Sequence, residues 1–324
     1  MRNAVAIAAL GGCLLIARPA TSHLAGYSQS ASGPVRNHWG NSFPIQWNLN
    51  PKTKSNIQGS VSVAQVIQTS FQTWLQAPNA ALTASRGADN TSVSSSNNSP
   101  QNQNIICFIC TADFGGDETL AITFSRISTA AGASDGHGGT TQFAGQIIKA
   151  DIFFNPATKY NTDGTSDEDL QTVATHEIGH FFGLDHSAIV RAVMFPFAPS
   201  LLRTLSYDDV AGISVLYPKA TPDFPAGVIA GTITRANTGA AVFGAHVYAS
   251  SLSNTETFPG LGIRKTAIGT LTFPDGTYRI EGVPPDSYTV IVEPLDDPTT
   301  TADVPEYGQA FGHTIETDFT SRWR

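Results

Sequence analysis

The chain has 324 residues, 41% of them hydrophobic and only 14% charged, and a formal net charge of −8. That length suits roughly two domains of about 150 residues, each able to bury its own core. No Lys/Arg cluster or basic stripe interrupts the acidic balance, which excludes a nucleic-acid partner from the expected functions.

The first residues read as a secretory signal. Arg2 supplies the positive start, residues 4–17 form an apolar run, and Ala20-Thr21-Ser22 offers a small-x-small site, so cleavage is expected after Ser22. The apolar run is too short to cross a bilayer core of about 30 Å, and no later stretch reads as a transmembrane helix. A secreted, extracellular protein is expected. A buried N-terminal helix is the competing reading. Leu10-Gly11-Gly12-Cys13 is also similar to a lipid-attachment box, but anchoring at Cys13 would leave Leu14-Leu15-Ile16 at the mature N-terminus. If Cys13 leaves with the signal, Cys107 and Cys110 remain. An even pair in an exported chain suggests a disulfide, with a redox or metal site as the alternative.

Residues 43–49 read as a strand, and residues 61–76 as a helix with Val63, Val66, Ile67, Phe71, Trp74 and Leu75 on one face. Residues 79–104 are rich in Ser, Asn and Gln and read as a mobile surface loop, with glycosylation patterns at Asn90-Thr91-Ser92 and Asn97-Asn98-Ser99. Residues 104–110, 120–125 and 146–155 are strand-like. Ser166 can cap a helix whose first turn carries Asp167, Glu168 and Asp169 and which stops at Gly183. Residues 207–217 form a last helix. A linker at 220–226 precedes five alternating segments, 228–236, 241–250, 265–273, 277–283 and 288–295, whose turns imply a small β-sandwich. Residues 297–324 carry little pattern and read as a partly ordered tail.

The chemistry lies in His176-Glu177-Ile178-Gly179-His180-Phe181-Phe182-Gly183-Leu184-Asp185-His186. Two His four apart share one face of a helix, so His176 and His180 can reach one ion. A catalytic Zn²⁺ keeps three protein ligands and one open position. His186 can be the third, because the chain turns back after Gly183. Glu177 is expected to act as general base on a zinc-activated water without binding the metal. His23, His38, His246 and His313 lack such a motif and read as structural or surface residues.

The long H-E-x-x-H-x-x-G-x-x-H pattern, Ser187 and Ala192-Val193-Met194-Phe195-Pro196 resemble the matrixin branch of the metzincin zinc endopeptidases. The similarity spans roughly residues 43–218 and is strongest over 173–196. It implies an α+β catalytic domain at 23–219, a mixed twisted sheet with three helices, followed by the small all-β sandwich at 227–296. It implies that Met194 sits in a turn supporting the ligands. It further implies that Leu120, Ala121, Ile122, Thr123 and Phe124 are the edge strand that receives an extended peptide, an ordinary sheet strand being the alternative. Tyr207-Asp208-Asp209 is similar to the start of the family's last helix. The family's structural zinc and calcium loops are not recognisable. Residues 135–139 and 163–169 are candidate Ca²⁺ or Zn²⁺ loops, with solvated loops the alternative. Between the expected cleavage site and the first strand there is no cysteine, so the family's thiol latency switch cannot be carried over.

Phe181, Phe182, Phe195 and Phe197 either line a pocket for an apolar substrate residue or fill the core between helix and turn. Gly231-Thr232-Ile233-Thr234, the segment 242–247 and Gly276-Thr277-Tyr278-Arg279-Ile280 resemble the carboxypeptidase regulatory-like, transthyretin-like sandwiches, which implies a spacer or stabilising role. The expected function is a monomeric secreted zinc endopeptidase acting on protein or peptide substrates. The alternative is an exported adhesion or binding protein with a catalytically degenerate protease domain.

Overall fold

The computed structural model describes residues 3–8, 25–40, 43–116, 118–165, 168–197, 201–253 and 267–323. Its first half is organised by a six-stranded mixed sheet. Ile45–Asn50, Ile105–Cys107 and Gln146–Phe154 run parallel, with Ala84–Arg86 parallel outside Ile45–Asn50 and His38–Trp39 parallel to the start of Gln146–Phe154. Ala121–Ile127 is antiparallel to Gln146–Phe154 and has no partner on its other side among the described residues. All nine residues of Gln146–Phe154 are buried, as expected of a central strand covered on both faces. Its two charges survive burial by pairing, Lys149 Nζ to Asp151 Oδ2 at 2.9 Å.

Helix α1 (Val63–Leu75) buries Val66, Ile67, Phe71 and Trp74, the face that the 3.6-residue period requires, and is capped by the Ser62 side chain. It packs against helix α2 (Leu170–Phe181), where Trp74 Nε1 donates to the Thr175 carbonyl at 2.7 Å. The expected cap of α2, Ser166, and Asp167 lie outside the described residues. The cap in place is Asp169, whose Oδ2 accepts from Thr172 N at 2.9 Å and from Arg203 Nε at 2.9 Å. Helix α3 (Tyr207–Leu216) completes the set, opened by a capping box between Ser206 and Asp209.

The polar stretch 79–104 differs from its reading as a loose loop. It contains Ala84–Arg86 and is folded back by side-chain bonds to backbone. Asn50 Nδ2 donates to Val93 O at 2.8 Å, Asn98 Oδ1 accepts from the amides of Ser94 and Ser95, and Lys149 Nζ donates to Ser99 Oγ. Short Asn and Ser side chains organise a backbone locally without any hydrophobic period. Cys107 and Cys110 are joined as a disulfide, their Cα atoms 5.7 Å apart, in a small cluster with Val93, Ile105 and Phe153.

The second half contains two four-stranded sheets. In one, Gly227–Arg235 lies between Thr277–Val283 and Asn3–Ala8, which also pairs with Phe319–Thr320. In the other, Ala267–Leu271, His246–Ser251, Tyr288–Glu293 and Arg322–Trp323 are antiparallel neighbours. The segment 241–250 yields a strand only from His246, because Gly244 turns the chain with a φ of 74°. Residues 299–323 are more structured than the tail reading. They form a 3-10 turn at Thr301–Asp303 and helix α4 (Pro305–Phe311), which buries Tyr307 and Ala310.

The two halves share one continuous core, running from Ile45, Trp74 and Phe182 to Val247, Ile280 and Tyr307. The segment 220–226 is clasped by Asn79, whose Oδ1 accepts from Asp223 N at 2.7 Å and Phe224 N at 3.2 Å. Buried Asp208 of α3 accepts from Gly269 N at 2.8 Å.

Candidate metal centre

Helix α2 carries His176 and His180 on one face, and it ends at Phe182 where Gly183 takes a φ of 97°. A Cβ at Gly183 would lie 2.2 Å from the Asn37 carbonyl, so only glycine fits the turn. The carbonyls left open at this helix end are filled by side chains. Trp39 Nε1 donates to Phe181 O at 2.7 Å and the Tyr217 hydroxyl donates to Phe182 O at 2.6 Å. The chain then reverses and delivers His186.

His176, His180 and His186 offer ligand nitrogens within 4.8 Å of one another, the one such group among the described residues. Each Nδ1 faces a main-chain carbonyl: His176 meets Val193 O at 2.8 Å, His180 meets Leu184 O at 2.8 Å and His186 meets Asp303 O at 2.6 Å. A carbonyl only accepts, so each Nδ1 carries a proton and, in the neutral ring, Nε2 is left with a lone pair. His176 Nε2 and His180 Nε2 are then 3.1 Å apart with no proton to share. Two ligands at Zn–N distances of 2.0–2.1 Å with tetrahedral angles would be about 3.3 Å apart. The donor set therefore fits a tetrahedral cation. Burial, with neighbouring His186, pushes His176 down to about 3; burial, then the other two rings, holds His180 well below the usual range. Neutral imidazoles are the metal-binding form.

Glu177 is 5% exposed, and burial pushes its pKa up to about 7 against the opposing pull of a hydrogen bond from Thr123. The Thr123 hydroxyl is 2.6 Å from Glu177 Oε2 and 3.1 Å from the Glu177 carbonyl. Thr123 belongs to the outer strand Ala121–Ile127, so that unpaired edge runs beside the Glu177 carboxylate.

The matrixin family profile matches residues 38–218, more than half of the chain. The chain belongs to the matrixin family. Its relatives include Metalloendoproteinase 2-MMP of Arabidopsis thaliana, 34% identical over 126 residues, which are 33% of this chain and 33% of that protein. Stromelysin-1 of Mus musculus is 37% identical over 130 residues, 33% of this chain and 27% of the relative. Metalloendoproteinase 1 of Glycine max is 51% identical over 55 residues, 16% and 18% respectively. The chain thus spans a third or less of the length of each of these relatives.

In this matrixin, Met194 is fully buried and packs directly under α2, where a Cβ at Gly179 would lie 2.2 Å from its Sδ. The turn around it is held by Asp209, whose carboxylate accepts from Val193 N at 2.8 Å, Met194 N at 3.1 Å and Ser206 N at 2.7 Å. Asp208 beside it accepts from Ser187 Oγ at 2.5 Å. The sequence places both Asp residues at the start of the last helix, by resemblance, but does not reveal their partners. Their signal was two carboxylates opening an apolar helix, which burial obliges to find partners.

Phe181 and Phe182 are core residues packed on Phe71, while Phe195 and Phe197 lie together at 5.6 Å with Phe197 exposed. Leu120 precedes the edge strand, and its carbonyl accepts from Asn155 N at 2.8 Å and from the Tyr160 hydroxyl. In the candidate Ca²⁺ or Zn²⁺ loops, of which Asp167 lies outside the described residues, two acids are occupied by hydrogen bonds. Asp135 accepts from the amides of His137 and Gly139, and Asp163 from the Thr165 hydroxyl. His246 pairs with Glu293 and His38 with the Trp39 carbonyl, as structural histidines do.

Proposed function

We propose that this matrixin is an exported zinc endopeptidase. The observation that carries the reading is the convergence of three lone-pair nitrogens beside the buried Glu177 carboxylate and an unpaired strand edge. Zinc held by His176, His180 and His186 would supply a Lewis acid that polarises the scissile carbonyl and acidifies the attacking water. An extended substrate would add as a strand to Ala121–Ile127, giving main-chain bonds without demanding a particular sequence. Glu177 would take the water's proton and deliver it to the departing amine, a role suited to a carboxylate tuned near neutrality. Met194 and the Asp209-held turn keep His176 in place from beneath.

Export rests on the charge and apolar run of the first 22 residues, although in the uncleaved chain Asn3–Ala8 of that run pairs as a strand with Gly227–Arg235. The two C-terminal sheets support the transthyretin-like sandwich reading, with a stabilising role and no chemistry of its own. The protein is read as a monomer, to be checked by sedimentation.

The test combines metal content with proteolysis. Wild type should hold one zinc per chain and cut unfolded casein, and a chelator should stop it. Glu177→Ala should keep the zinc and lose cleavage. If wild type holds zinc yet cuts nothing, and Glu177→Ala behaves identically, the degenerate binding-protein reading replaces the enzyme.

A further inference from the structure

We infer that the C-terminal segment 299–311 is a working part of the metal centre, and that Asp303 is the positioning residue for the ligand His186. The inference rests on reading the His triad as a zinc site. Two ligands draw their orienting carbonyls from inside the family-matched residues 38–218, Val193 for His176 and Leu184 for His180. The third does not. His186 Nδ1 bonds to the Asp303 carbonyl at 2.6 Å, 117 residues further along the chain. Groups that fix a ligating ring's tautomer and direction tune its basicity and contribute to metal affinity.

That carbonyl is held firmly. The Asp303 carboxylate closes a capping box, accepting from Thr300 N at 2.7 Å and from Thr300 Oγ1 at 2.9 Å, while Asp303 N donates back to Thr300 O at 3.1 Å. The next residue, Val304, is fully buried. Tyr307, one helical turn on, stacks on Phe243 at 5.5 Å and meets Tyr27 edge-on at 5.8 Å. Its hydroxyl reaches the carbonyl of Thr272 at 3.3 Å. The segment is therefore wedged between the N-terminal hairpin, Tyr27–Ser30 with Gly33–Arg36, and the C-terminal sheets. The last twelfth of the chain, beyond the residues 38–218 matched to the matrixin family, thereby sets the third ligand's direction.

The test is zinc affinity by chelator competition on the full chain, with the unfolding midpoint of the metal-free protein measured alongside. Asp303→Ala opens the capping box and the milder Thr300→Ala loosens it by removing the hydroxyl bond, whereas Asp303→Asn retains a capping acceptor. Loss of such an outer contact lowers metal affinity about 10–100-fold. We expect that loss in Thr300→Ala and Asp303→Ala, a metal-free midpoint close to wild type in Thr300→Ala, and near-wild-type affinity in Asp303→Asn. Wild-type affinity in a folded Asp303→Ala or Thr300→Ala overturns the inference while leaving the zinc site standing. If wild type binds no zinc, the site reading itself fails and the inference falls with it.

Discussion

The Thr123 hydroxyl donates to the Glu177 carboxylate at 2.6 Å, tying the outer strand of the sheet to the expected general base. A carboxylate with a single fixed donor keeps one oxygen occupied and aims the other. Thr123→Val removes the donor at nearly constant shape. We expect a fall in kcat of about ten- to a hundredfold, from a charge-assisted hydrogen bond worth about 1.5–3 kcal/mol. KM and zinc content should stay near wild type, and Thr123→Ser should restore most of the rate. Steady-state kinetics on a quenched peptide checks this, and an unchanged kcat in Thr123→Val would refute the orienting role.

Asp209 is fully buried and accepts three main-chain amides around the Met194 turn. Asp209→Ala leaves those donors without an acceptor, a cost on the order of 3 kcal/mol. The damage should reach the metal, because Val193 O orients His176. Urea unfolding and zinc retention should therefore fall together. Zinc retained at wild-type affinity in a destabilised Asp209→Ala would separate the turn from the metal.

Two glycines should resist even alanine. Gly183→Ala forces a positive φ on a residue with a Cβ and drives that atom toward Asn37 O, for about 2 kcal/mol or more. Gly179→Ala pushes against Met194 beneath the ligand pair. Thermal midpoints of both variants should drop. Exposed Gly115→Ala, with nothing near its Cβ, should show only the milder cost of its φ of 71°.

Asp169 gives a pH signature. Burial raises its pKa, but hydrogen bonds from Arg203 and Thr172 outweigh that, so the net shift is downward. The stability these bonds contribute is present above the ordinary carboxylate pKa of about 3.9 and is lost as pH falls through the depressed folded value. Asp169→Asn should cost about 1–2 kcal/mol at pH 7, discounted for the partly exposed Arg203, and the gap to wild type should narrow near pH 3. Denaturation of metal-free protein at both pH values isolates this from zinc release. A gap that widens in acid would reverse the assigned sign.

The legible parts of the site were those whose physics is local. His176 and His180 are one helical turn apart, and Gly183 marks the reversal toward His186, so sequence spacing carries the geometry. Likewise the apolar period of residues 61–76 became α1 with only its ends trimmed. The polar stretch 79–104 and the segment 299–323 were not legible, because neither is held by a hydrophobic period. One is organised by Asn and Ser bonding to backbone, the other by contacts with residues far away in the chain. Thr123 was placed on its strand, but no spacing rule connects position 123 to position 177. Long-range partners of this kind follow from topology, which a single sequence leaves open.

Asp208 joins Ser187, next to His186, to Gly269 in the C-terminal sheets through one fully buried carboxylate. Pulling the halves apart would strand that charge and break the common core at the same moment. The two halves should therefore melt in a single transition, and neither can be exchanged for a foreign domain without rebuilding α3. What looks like a bolt-on module at the level of sequence should, in cooperativity, belong to the matrixin domain.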